Sequence, residues 1–145
     1  MQNLVKPNSP YMPKKVISLH ALVNEIISSV SEKTIRHNSS IVNDIPLNLE
    51  LVSNTDMVAS VVSNLLFTIA TYAENSCIRI TTKVFNDVIL LQLKDQNSIN
   101  TYTIANSLQS SQPIAEKIGG YLGVTSQRKN ETTIVFSFPN IRAAA

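Results

Sequence analysis

The sequence predicts an α+β domain: a two-layer α/β sandwich in which one mixed β-sheet carries its helices on a single face. Three observations predict it. Two stretches with helical periodicity come first, a hairpin with period-two alternation follows, and a short helix with two further strands closes the chain. At 145 residues this is one domain, large enough to bury about two-thirds of its unfolded surface without disulfides or metals.

The first helix is expected from Ser18, a natural N-cap, because Leu19, Leu22, Val23, Ile26, Ile27 and Val30 recur at i, i+3 and i+4. "SSIVND" and "LELVSN" then read as short extended pieces separated by Pro46, after which Asp56 is expected to cap a second helix. Val58, Val61, Val62, Leu65, Leu66, Ile69 and Tyr72 surround much of that helix, so it is buried. Its uncharged run from Met57 to Ala73 is short of the ~20 apolar residues a bilayer requires and contains Asn64. No membrane span is expected.

In "CIRITTKVF" the positions Ile78, Ile80 and Val84 alternate with Arg79, Thr81 and Lys83, the period of a strand with one wet face. Asn86 and Asp87 form a two-residue turn, and "VILLQLK" returns as the more central strand. Continued alternation places Asp95 on the same inner side as Ile89, Leu91 and Leu93, just past the strand's end. A short helix over 103–109 follows, then one begun by Pro113 and stopped by Gly119-Gly120, then strands in "YLGVTSQR" and "TTIVFSF" joined through "KNE". Residues 1–15 read as a flexible, Pro-rich leader without a signal-peptide core, 16–140 as the domain and 141–145 as a tail.

Composition excludes several classes. Hydrophobic residues at 43% and charged residues at 15% describe an ordered globular chain. The net charge of +2 and the lack of a basic stripe argue against nucleic acid as a partner. One cysteine rules out an internal disulfide and suits a reducing cytoplasm; two histidines far from it argue against zinc. With three glycines, all from Gly119 onward, the chain has no glycine-rich phosphate cradle. No Gly-x-Ser-x-Gly elbow is present either.

The order "VISLHALVNEII", "VNDIPLNLELVSNTDMVASVVSNLLFTIATYA", the hairpin ending in "LKD", "IAEKIGGYLGVTS" and "TTIVFSFP" resembles the ATP-binding (Bergerat-fold) domain of sensor histidine kinases, from Val16 to Pro139. The resemblance implies that Asn64 stands at the first of two asparagines on the buried helix and Thr68 at the second, where the family binds Mg²⁺. It further implies that Asp95 is the aspartate that accepts a hydrogen bond from the adenine amino group, with "QNSIN" in place of the glycines that follow it. The segment between Asp95 and Pro113 is too short for the family's mobile lid and carries no glycine. Asparagine or serine can reproduce a glycine's positive φ far better than its close approach to a ligand.

Several lost contacts of ~1 to 3 kcal/mol each would move a micromolar binder beyond detection. The implied function is therefore a degenerate ATPase domain, with Asn64, Thr68 and Asp95 vestigial, no cofactor and no catalytic residue. It would serve as an interaction or phosphotransfer-associated module in bacterial two-component-type signalling, with a histidine kinase or response regulator as partner and self-association open. The alternative is a divergent working domain that holds Mg-ATP through the same three residues and transfers phosphate to another polypeptide; an anti-sigma-like binder shares the fold.

Individual residues keep two readings. Asp95 either recognises adenine or caps its own turn. Asn64 either serves the ligand or satisfies a buried neighbour. Tyr102, Ile104 and Leu108 are either apolar anchors for a partner or lining for the core. His20 and His37 lack the context of a phosphoacceptor.

Overall fold

The computed structural model describes residues 16–98, 100–126 and 128–141. The expected leader, and all of the expected tail except Ile141, lie outside the described residues.

Helix α1 (Leu19–Ser29) starts where its sequence signal places it: the Ser18 side chain accepts from the Ala21 amide, and Leu19, Val23 and Ile26 form the buried stripe. A second short helix, α2 (Ser31–Arg36), follows almost without a break. The expected extended pieces are β2 (Ser40–Asn43) and β3 (Glu50–Leu51). Strand β3 pairs with β1 (Ile17–Ser18) in a small antiparallel sheet.

Helix α3 (Thr55–Tyr72) forms the centre of the helical layer, with Val58, Val61, Leu65, Leu66 and Ile69 all fully buried. Its start corrects the expected cap. Asn54, in the left-handed region at φ 52°, is the N-cap, and Asp56 lies inside the first turn. The chain reverses at Asn54, so the helix is already under way at Thr55; the Asp56 carboxylate faces the positive end of the helix dipole instead of capping an amide.

The main sheet has five strands in the order β2-β4-β5-β7-β6, with β4 (Cys77–Phe85), β5 (Val88–Asp95), β6 (Tyr121–Thr125) and β7 (Thr132–Pro139). Strand β2 runs parallel to β4 and the other pairs are antiparallel, which makes the sheet mixed. Phe85 pairs with Val88 across the expected two-residue turn, whose Asn86 has φ 55°. The inner face presents Ile78, Ile80, Ile89, Leu91, Leu93, Ile134, Phe136 and Phe138 to the helices, and each such side chain contributes ~1.5 to 3 kcal/mol by leaving water.

Two strand expectations need correction. Val84 has the inward parity but is 53% exposed. The hairpin end of β4 runs past β2, whose pairing stops at Ile80, and helices do not cover it there. Strand β6 ends at Thr125, short of the expected Arg128, because Arg128 to Asn130 already form the turn into β7 and Asn130 is left-handed at φ 63°.

Between β5 and β6 the chain forms α4 (Thr101–Ser107), a 3₁₀ turn (Leu108–Ser111) and α5 (Gln112–Lys117), one continuous path of short helical pieces packed on α3. Pro113 sits in the first turn of α5, and Gly119 at φ 79° ends it in the left-handed conformation that favours glycine. Gly120 is needed for another reason: a Cβ there would collide with the Ser137 carbonyl of β7.

Candidate functional site

Helix α3 presents one partly open face towards the 96–112 segment, and two clefts lie along it. The first, about 270 Å³, is lined by Asn64, Phe67, Thr68, Thr71, Tyr72 and Ser107. The second, about 480 Å³, is lined by His37, Thr71, Tyr72, Glu74, Asn75, Asn97 and Asn100. They share Thr71 and Tyr72.

Asn64 and Thr68, one turn apart, come together as the helix spacing requires. Their polar atoms are engaged with protein. Asn64 Nδ2 donates to Ser111 Oγ at 2.6 Å, and Thr68 Oγ1 donates weakly to Asn64 Oδ1 at 3.5 Å. Ser111 belongs to the 3₁₀ turn and is itself buried, so Asn64 ties α3 to the segment that crosses it.

Asp95 is the last residue of β5, opposite Ile78 on one side and Thr132 on the other, and it is fully buried. It lines neither cleft. Its Oδ1 accepts from the Asn97 amide at 3.0 Å, an Asx turn, while Oδ2 has no hydrogen-bond partner. The turn-capping reading of Asp95 therefore accounts for one of its oxygens and leaves the other bare. Nearby, Thr132 Oγ1 donates to Ser98 Oγ at 3.0 Å and lies 2.5 Å from Thr101 Oγ1, a hydroxyl cluster that pins the start of α4 to β7.

The residues of "QNSIN" are used as fasteners. Asn97 Nδ2 donates to the carbonyls of Glu74 and Asn75, Ser76 Oγ donates to the Asn97 carbonyl, and Asn100 Nδ2 donates to the Tyr72 carbonyl. Together they sew the loop after β5 to the loop after α3. On the far side of the larger cleft, His37 Nδ1 donates to the Ala70 carbonyl at 3.2 Å and Asn38 Nδ2 donates to Asn75 Oδ1.

The two apolar readings of the 101–108 segment divide by residue. Ile104 and Leu108 are core, whereas Tyr102 is 80% exposed. His20 packs against the loop before β3, with Nδ1 donating to the Ile45 carbonyl at 2.7 Å. Among the described residues no cluster of three or more His, Cys, Asp or Glu side chains could hold a metal ion, and no helix is long and apolar enough to cross a membrane. Sequence reasoning weighed His37 only as a phosphoacceptor and did not single out Glu74, Asn75, Asn97, Asn100 or Ser111. The available signal was Asn97 and Asn100 within "QNSIN"; Ser111 had none.

A scan against protein-family models and a search of curated proteins find no match. Solved structures do match: the fold is that of the catalytic (ATPase) domain of histidine kinases. The histidine kinase AdeS of Acinetobacter baumannii superposes with a TM-score of 0.74 at 10% identity, over 87% of this chain and 66% of that one. Full-length ShkA in complex with AMPPNP gives 0.72 at 12% identity, over 94% of this chain and 34% of that one. The isolated catalytic domain of ThkA gives 0.69 at 19% identity, over 89% of this chain and 98% of that one, and ThkA in complex with the response regulator TrrA gives 0.68 at 18%, over 88% and 42%. The chain thus spans about two-thirds of the AdeS chain and about a third of the ShkA chain, and nearly all of the isolated ThkA catalytic domain.

Proposed function

We propose that this domain is a degenerate histidine-kinase-type ATPase that does not bind ATP at cellular concentrations and acts as a protein-interaction or phosphotransfer-associated module in two-component-type signalling, in the cytoplasm. The observation that carries this reading is the path from α4 through the 3₁₀ turn to α5. It contains no glycine, its Ile104 and Leu108 are core residues, and it is tied to α3 by the Asn64–Ser111 hydrogen bond. A phosphate-binding loop needs free backbone amides and room for the ligand to approach. This segment spends its amides on short helices and its side chains on the core.

The residues present do not fit Mg-ATP well. Thr68 offers a neutral hydroxyl, already directed at Asn64, where Mg²⁺ prefers carboxylate or carbonyl oxygens and water. Asp95 is sealed from both clefts. The bare Asp95 Oδ2 is the one observation that favours the second reading, a divergent working ATP site, because a buried acceptor without a donor is what an amino group entering the pocket would satisfy. Reaching it would require the 96–100 loop to open against the Asn97 and Asn100 fasteners.

The likeness to ThkA, whose structure in complex with a response regulator is known, supports a signalling partner of that class. The test is association with a response-regulator receiver domain or a kinase helical hairpin, measured by sedimentation with and without nucleotide. A complex that forms equally in both conditions supports the proposal. A complex that forms only with Mg-ATP would reject it.

A further inference from the structure

The larger cleft sits at the C-terminal end of α3, and several of the groups around it are acceptors. An 18-residue helix presents the negative end of its dipole there, with no basic residue in its last turn. Asn97 and Asn100 are held with Nδ2 donating to backbone carbonyls, and neither Oδ1 takes a hydrogen bond among the described residues. The Glu74 carboxylate lines the same space, is exposed, and forms no ion pair among the described residues. The His37 ring also lines the cleft, fixed by its Nδ1 donation to the Ala70 carbonyl. Tyr72 adds an aromatic wall. The cations close in sequence to its lining, Lys33, Arg36, Arg79 and Lys94, do not line the cleft: the Lys33 ammonium lies over the Phe67 ring, Arg79 pairs with Asp44 and Lys94 with Glu131.

An acceptor-lined cleft at a helix C-terminus repels phosphate and attracts N–H-bearing cations. We propose that this cleft binds a guanidinium or primary ammonium group, held by Glu74 and the Asn97 and Asn100 side-chain oxygens against Tyr72. The chemistry is that of a free polyamine-like molecule or of an arginine or lysine side chain on a partner. It does not depend on whether nucleotide binds elsewhere on α3.

The test is an NMR titration that follows the Asn97 and Asn100 side-chain amides. Agmatine carries both cationic groups, N-acetyl-arginine amide presents the side chain as a peptide does, and tetramethylammonium has the charge without any N–H. Saturable shifts are expected for at least one of the first two probes below about 10 mM, and about tenfold weaker binding of tetramethylammonium. Preference for agmatine identifies a free cation, and preference for the arginine derivative identifies a partner's side chain. Glu74→Gln should weaken binding about two- to fivefold, the size expected for an exposed ion pair, and Glu74→Lys should abolish it. Since Glu74 is exposed, both variants should keep the wild-type backbone spectrum. Absence of saturation for both N–H probes, equal binding of tetramethylammonium, or indifference to Glu74→Lys would overturn the assignment.

Discussion

The Asn64 amide donates to the Ser111 hydroxyl at 2.6 Å across a sequence separation of 47 residues, joining the middle of α3 to the turn that crosses it. An asparagine that the sequence resemblance associates with a ligand thus bonds to the protein itself. Asn64→Ala removes the donor and leaves buried Ser111 without its partner, so it should cost about 1 to 2 kcal/mol, read as a lower midpoint in urea. An unchanged midpoint would mean the bond is not formed in solution and the residue is free for a ligand.

Leu65 and Asp95 are both fully buried, yet their substitutions should differ. Leu65→Ala opens a cavity in the α3 core and should cost about 2 to 5 kcal/mol. Asp95→Asn keeps an acceptor for the Asn97 amide and removes a desolvated oxygen that has no donor, so its cost should stay within about 1 kcal/mol. Equal destabilisation would place Asp95 in a buried network that the geometry does not contain.

Tyr102 and Leu108 separate surface from core on one short segment. Leu108→Ala should lower the melting temperature, at a cost of about 2 to 5 kcal/mol, while Tyr102→Ala should leave it within the ±0.5 kcal/mol usual for surface changes. Loss of receiver-domain association in Tyr102→Ala alone would assign that ring to the interface. Retained association would move the interface elsewhere.

Glycine is scarce, and the backbone shows where it cannot be replaced. Gly120→Ala should destabilise markedly, because its Cβ meets the Ser137 carbonyl of β7 and backbone must shift to admit it. Asn86→Gly, at a left-handed turn residue, should change stability by no more than about 0.5 kcal/mol. The comparison is made by thermal melting of the two variants, and a larger loss in Asn86→Gly would contradict it.

Much of the fold was legible because its signals are periodic and local. Leu65, Leu66 and Ile69 mark α3, Ile89 to Leu93 mark the central strand, and Gly119 marks the stop of α5. What was not legible depends on chain reversal and coverage. Asp56 looked like a cap until Asn54 turned the chain early, and Val84 has core parity but nothing above it. Of the three residues the sequence pointed to, Asn64 and Thr68 line the smaller cleft and Asp95 lines neither, and none of their contacts could be read from spacing. The partner of Asn64 lies far along the sequence, and the asparagines that define the larger cleft act through amide orientation, which only the surrounding carbonyls decide. All five non-glycine residues with positive φ among those described are asparagines: Asn38, Asn54, Asn75, Asn86 and Asn130. The polar loops that look like a worn ligand motif are in part turn chemistry.

Calorimetric titration of the domain with Mg-ATP should give no saturable heat up to about 1 mM, because Asp95 is sealed and the 101–117 path is folded onto α3. Saturable binding below about 1 mM that disappears in Asp95→Asn would contradict it, and would mean that the 96–100 loop opens to admit the adenine ring.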